Sequence, residues 1–288
     1  MPARKAARKQ SLPVRWEELT AADFPKAVKQ AKGVCLLPIG VIEKHGPHLP
    51  LGTDVMAVRA VTVGAAEREY AVVFPWYQFG QILEAQHEPG CIALDPDLLT
   101  AVLENMCDEI GRNGFEKIMI VNGHGGNNAW LDFFLQTQLA EPKDYVVYLP
   151  PLTFVDEAIA KRILAKRKTD WGGHADELES SWMMAIRPDL VKLEYAKNED
   201  GRPRRNLKHM GEVQTGIWWY ADFPTHYAGD ARPANEELGK LAVEGKVKAL
   251  AGAIEAVKKD TTARRLQEEF FAAAEKPVGG KRTGKTQR

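Results

Sequence analysis

Four short aliphatic runs separated by segments of helical period constrain this chain more than any other feature. They are residues 33–38 (GVCLLP), 71–76 (AVVFPW), 117–122 (KIMIVN) and 144–148 (DYVVY), each bounded by glycine, proline or charged residues. Near-continuous apolar runs of this length suit strands buried on both faces, as in a parallel sheet covered by helices. Between them, helical spacing predicts a helix over 55–68. A second opens at Pro96 behind Asp95 as N-cap and stops near Gly114, with Leu98, Val102, Leu103, Met106 and Ile110 at core spacing. Further helices start near Asn128, Ala175 and Ala234, and the last is long and interrupted by glycines, so its apolar stripe is expected to kink or to pack on a neighbour. The expected fold class is α/β: a layered, mostly parallel sheet flanked by helices.

The 288 residues fit one large domain or two small ones. The reading here is a basic tail over 1–12, a single domain over 13–262, and a helix end with a second basic tail over 263–288. Lysines and arginines number 39, as do aspartates and glutamates. The balance is a cancellation: Arg4, Lys5, Arg8 and Lys9 at one end and Lys276, Lys281, Arg282, Lys285 and Arg288 at the other leave the body between them near −9. Such a body does not suit a nucleic-acid partner, and the tails are read as solvated ends. No apolar stretch is long enough to span a membrane, and the basic start runs into polar SLPVRWEEL instead of an apolar signal core, so a cytoplasmic protein is expected. Cys35, Cys91 and Cys107 form no CxxC pair and read as small buried apolar residues.

Chemistry-bearing residues gather where the strands end. After the first strand comes GVIEKHGPHLPLGTD (40–54). Ligand sites of open parallel sheets lie beyond the carboxyl ends of the strands. In extended chain, Glu43 and His45 would project to the same side roughly 6 to 7 Å apart, so each could hold one metal of a pair. Asp54 follows a stiff loop at a helix start, where its carboxylate could bridge two ions. The third strand ends in NGHGGN (122–127), projecting His124 into the same crevice; a phosphate cradle is the other reading of this glycine-rich turn, but no Walker or dinucleotide fingerprint accompanies it. A third cluster, WGGHADELESS (171–181), places His174 and Glu179 a little beyond one helical turn apart, so that both could converge on one site, with Asp176 and Glu177 as helix N-terminal charges.

Together these three clusters resemble the creatininase family of amidohydrolases. Its members carry G-x-x-E-x-H-G-P-H-L-P-L-x-x-D, N-G-H-x-x-N and H-A-x-x-x-E-[ST]-S, and this chain has all three in order at 40–54, 122–127 and 174–181. The segment EAQHEPGCIAL (84–94) is similar to a family H-x-x-x-P-G-T stretch, with Cys91 where threonine is usual, and Gly229-Asp230 is a further echo. The resemblance spans about 34–258.

The resemblance implies a layered α/β fold binding two divalent ions per subunit, with Glu43, His45, Asp54 and His124 on the family's metal positions and Asp54 bridging. One position departs: creatinine-hydrolysing members have a carboxylate two residues after the turn histidine, where this chain has Gly126. Glu179 is the replacement candidate. Carboxylates and imidazoles without thiolate suit zinc, manganese or iron. The resemblance further implies cleavage of a C–N amide or lactam bond in a small polar substrate, with His174 and Glu179 as catalytic residues and His174 moving the proton. His48, His87, Trp171 and Trp218 are expected to line the substrate pocket or steady a ligand. The family also includes enzymes that deformylate cofactor precursors, trim a peptide or open oxidised inositol-type rings. Two alternatives therefore stand: a ring-opening lactone or C–C hydrolase of sugar or inositol catabolism, and a non-catalytic metal-binding scaffold. A homo-oligomer, hexameric by family resemblance, is expected.

Overall fold

The computed structural model describes residues 12–278; the basic stretches expected at 1–10 and beyond 278 lie outside the described residues. Four parallel strands, β1 (Val34–Ile39), β2 (Val72–Val73), β3 (Lys117–Asn122) and β4 (Val146–Tyr148), form one sheet in the order β2-β1-β3-β4. The helices are α1 (Phe24–Gln30), α2 (Thr53–Arg68), α3 (Pro96–Arg112), α4 (Asn128–Thr137), α5 (Glu157–Lys166), α6 (Glu177–Ile186), α7 (Trp218–Asp222), α8 (Glu236–Lys259) and α9 (Thr262–Ala274).

Alternation along the strands builds two cores. Cys35, Leu37 and Ile39 of β1 and Ile118 and Ile120 of β3 face α3 and α4, packing on Leu103, Cys107, Ile110, Leu131 and Phe134. The intervening Val34, Leu36, Met119 and Val121 face α2 and α8, meeting Val58, Val61, Ala65, Val247, Leu250 and Ile254. These are the three layers of an α/β sandwich, and each fully buried aliphatic side chain contributes about 1.5–3 kcal/mol of transfer free energy. Cys35 and Cys107 are buried and Cys91 is half-buried, and all three are free thiols.

Several boundaries differ from the sequence expectation. The second run pairs only through Val72 and Val73, because Pro75 has no N–H to extend the ladder beyond the bond from Phe74 N to Leu36 O. The last run loses Asp144 and Tyr145, whose ring instead packs over Gly111 while its hydroxyl donates to Asp108. In α3 the buried residue is Leu99, not Leu98, which is 53% exposed. The long helix α8 runs unbroken; two of its three glycines mark close crossings, Gly239 against the Ser181 carbonyl of α6 and Gly245 against Ile159 of α5. The segment expected as a helix end is a separate helix, α9, because Asp260 turns the chain: its carboxylate accepts from Thr262 N and from the Tyr148 hydroxyl. Among the described residues no helix is long and apolar enough to cross a membrane.

Strand order reverses between β1 and β3. Chain leaves β1 toward β2 on one side and returns to β3 on the other, which opens a crevice at the carboxyl ends of the two central strands.

Candidate metal centre

The loop after β1, the first turn of α2, the turn after β3 and the start of α6 converge in that crevice. Glu43, His45, Asp54, His124 and His174 are all buried. Asp54 stands at their centre. Its Oδ1 lies 3.0 Å from His45 Nε2 and its Oδ2 lies 3.0 Å from His124 Nδ1, so each oxygen addresses a different imidazole. Glu43 Oε1 is 2.8 Å from His124 Nδ1 and 3.8 Å from His45 Nε2, and Glu179 Oε2 is 3.9 Å from the same His45 nitrogen.

Backbone carbonyls fix which ring nitrogen faces inward. His124 Nε2 lies 3.0 Å from the Gln81 carbonyl and His45 Nδ1 lies 3.3 Å from the Glu43 carbonyl. A carbonyl only accepts, so those nitrogens carry protons, leaving His124 Nδ1 and His45 Nε2 as the nitrogens that face the carboxylates and would give their lone pairs to a bound metal. Nδ1 of His124 thus lies 2.8 Å from Oε1 of Glu43 and 3.0 Å from Oδ2 of Asp54, and both of those oxygens are buried without a hydrogen-bond donor of good geometry. Two buried carboxylates this close, with the half-buried Glu179 beside them, are costly unless a cation or protons neutralise them. The donor set fits divalent metal: carboxylate oxygens and imidazole nitrogens, with the outer imidazole nitrogens tied down.

Electrostatics follow from this crowding. Burial opposes the charged form of His45, yet Asp54, Glu43 and Glu179 raise it to about 10. For His124 burial also lowers, and Glu43 and Asp54 more than reverse it. Burial works against the Glu43 carboxylate, but His124, His174 and His226 hold it well below the usual range. Glu179 goes the other way: burial, aided by Asp54 and Asp176 against the pull of His45, lifts it to about 8.

His174 packs against the His45 ring, centroids 4.3 Å apart, and its Nε2–H donates to the Lys44 carbonyl at 2.7 Å. Its Nδ1 therefore faces Glu179 Oε2, 4.0 Å away. Burial first, then His45 and His226, hold this imidazole well below its ordinary pKa. The chain delivers it through a strained turn, since Ala175 has φ +56° and the His174 and Ala228 backbones exchange two hydrogen bonds of 3.1 Å. Asp176 caps α6 through Leu178 N and Glu179 N and pairs with Arg167, whereas Glu177 is buried and receives the amides of Lys168 and Thr169. Cys91 Sγ accepts the Lys44 N–H at 3.3 Å, bracing the loop between Glu43 and His45.

Gly126, the departure from the family pattern, is sterically required. A Cβ there would collide with His124 Nε2 and come within 2.9 Å of Glu84 Oε1. Grouped with His45 and His174, Glu179 supplies the only carboxylate besides Glu43 and Asp54 that joins the metal-competent groups among the described residues.

The four residues expected at the pocket or beside a ligand have these surroundings. His48 is buried with Nε2 2.8 Å from Ser180 Oγ, tying the loop to α6. His87 Nε2 donates to the Pro224 carbonyl and its ring meets Tyr220 edge-on. Trp171 borders a separate polar depression with Asp200 and Arg202, and Trp218 is 55% exposed. Sequence reading gave no role to His226, yet its Nε2 lies 2.6 Å from Glu43 Oε2 while Trp219 Nε1 donates to its Nδ1 at 2.9 Å. A lone histidine after an aromatic run carries no spacing signal. Only its φ of +51°, invisible in sequence, marks it.

A doubly covered parallel sheet with a buried carboxylate–imidazole cluster at its switch point defines the class: a layered α/β protein with a metal-competent site. The creatininase family model, described as creatinine amidohydrolase, matches residues 17–254, and the chain belongs to that family of hydrolases. Over 258 residues it is 29% identical to creatinine amidohydrolase of Pseudomonas putida, covering 82% of this chain and 94% of the relative. Identity to the 3-dehydro-scyllo-inosose hydrolase of Thermotoga maritima is 24% over 258 residues, 80% of this chain and 79% of the relative. A creatininase crystal structure superposes with a TM-score of 0.72 at 29% identity, over 87% of this chain and all of the other. Similar creatininase structures include a manganese form and a Zn–Zn form, with TM-scores of 0.72 and 0.71, 26% identity, and coverage of 86% and 87% of this chain and all of the others.

Proposed function

We propose that the protein is a dinuclear metal-dependent hydrolase cleaving the C–N bond of a small amide or lactam. One observation carries the proposal: the two oxygens of Asp54 each lie 3.0 Å from the inward nitrogen of a different, backbone-locked imidazole. Glu43, Asp54 and His124 would hold one divalent ion, and His45, Asp54 and Glu179 the other. Zinc and manganese are favoured by the mixed N/O ligands and by the manganese and Zn–Zn forms of the related creatininases. Such a pair lowers the pKa of a shared water toward neutrality and polarises a carbonyl.

The chain's own residues do the rest. Asp54 keeps the two sites in register, and the Gln81 and Glu43 carbonyls hold the ligand imidazoles in the correct tautomer. His174, with Nε2–H committed to Lys44, would accept at Nδ1 the proton that the attacking water gives up and return it to the leaving nitrogen. Glu179 Oε2 lies 4.0 Å from Nδ1 of His174. Apolar side chains exposed together over a short stretch, Val213, Ile217, Trp218 and Tyr220, support a homo-oligomer, for which the family resemblance suggests a hexamer.

Metal analysis and an amine-release assay on lactams, formamides and acylated amines test this reading. Glu43→Gln and Asp54→Asn should each lose metal and turnover, whereas His174→Ala should keep metal and lose turnover by about 10²–10⁴. Fewer than about one tightly bound transition metal per chain would sink the dinuclear model.

A further inference from the structure

A cavity of about 330 Å³ opens beside Glu179, enclosed by α2, α6, α8, the end of β3 and residues 150–155. Its walls are largely apolar, formed by Val58, Val61, Phe154, Ile163, Leu178 and Leu250. Glu179, Trp182 and Ile186 line it from α6 at helical spacing, so the helix face that offers a carboxylate to the metal centre also forms the cavity wall.

One cation faces this apolar space. Lys246 of α8 donates from Nζ to the Leu152 carbonyl at 3.1 Å and lies over the Trp182 ring, 4.8 Å from its centroid. No carboxylate among the described residues is within ion-pair distance of it, although most lysines of α8 have one, as Lys240 has Glu236 and Lys248 has Asp156. An ammonium has three donors, and here one is used. Trp182 Nε1, on the same wall, is buried and has no acceptor. The two remaining ammonium donors in a largely apolar chamber are costly in isolation and favourable around an anionic acceptor.

We propose that this cavity is the substrate chamber of the hydrolase and selects an amide whose apolar arm ends in a carboxylate, which Lys246 receives while the scissile bond lies toward Glu179. The inference rests on the hydrolase reading above. A single lysine matches a monoanion in charge, and the aliphatic walls match the arm that joins it to the amide. Lys246 is thus a specificity residue placed opposite the metal centre.

Binding of hexanoate and of its neutral isostere hexanamide to the metal-loaded full chain, followed by calorimetry, tests it. The wild type should bind hexanoate about tenfold or more tightly than hexanamide, as hydrogen bonds to a buried charge allow. Lys246→Met should bring the ratio near one, and Lys246→Arg should keep it. A ratio near one in the wild type overturns the proposal whether or not the methionine variant folds. So does a ratio that survives Lys246→Met, which would place the carboxylate on the metal. Metal content of the same wild-type samples tests the hydrolase reading separately, so the two can fail independently.

Discussion

Replacing Gly126 with alanine adds one methyl group at a point where the centre has no slack. The new Cβ would lie inside the contact distance of His124 Nε2, the nitrogen that donates to the Gln81 carbonyl at 3.0 Å. Carbon contacts settle at about 3.5–4.0 Å, so the ring must retreat by roughly 1 Å. Retreat costs twice. Overpacking of this kind destabilises by about 1–3 kcal/mol, which lowers Tm by roughly 2–10 °C in a domain of this size. Breaking the hydrogen bond to Gln81 also frees the imidazole orientation, and loss of such an outer partner typically costs about 10–100-fold in metal affinity. Gly125→Ala is the matched control, because a Cβ there meets nothing within 4 Å. Competition with a chromophoric chelator gives the affinities, and thermal melts of chelator-treated protein give the stability term. Were Gly126→Ala to bind metal as tightly as Gly125→Ala, the claim that Gly126 protects the His124 geometry would be wrong.

Two further outcomes follow from the surroundings of the centre. His226→Ala removes the 2.6 Å partner of Glu43 Oε2 and should weaken metal binding about 10–100-fold, with Trp219→Phe having a smaller effect in the same direction; unchanged affinity in His226→Ala would refute the positioning role. Burial, with His45 nearby, lowers His48 from 6.5 to about 4, so between those values the unfolded chain holds a proton that the folded chain does not. Its contribution is complete above about pH 6.5 and is lost as the pH falls toward 4, up to about 3 kcal/mol. Urea melts of chelator-treated protein should therefore show a smaller acid loss in His48→Gln than in the wild type, and equal losses would contradict the assignment.

What the sequence determined was local. Apolar runs such as KIMIVN dictated buried strands because the four residues between Lys117 and Asn122 have no polar side chain to offer solvent, and β3 spans the same six residues. Asp95 before Pro96 dictated the start of α3, since a carboxylate that accepts from Asp97 N and Leu98 N satisfies amides the helix leaves free. Spacing within GVIEKHGPHLPLGTD, NGHGGN and HADELESS also selected residue types that ligate metal. Tertiary structure decided the rest. Asp54 faces both imidazoles only because β1 and β3 are neighbours in the sheet. The tautomers depend on the carbonyls of Gln81, Glu43 and Lys44, and carbonyls leave no trace in sequence because every residue has one. His226 reaches Glu43 across 183 residues, a separation over which no periodicity survives. Lys246 reads in sequence as one more lysine on an amphipathic helix. Its single backbone acceptor and its apolar surroundings arise only where α8 closes over α6, because burial, not composition, sets what a charge must find.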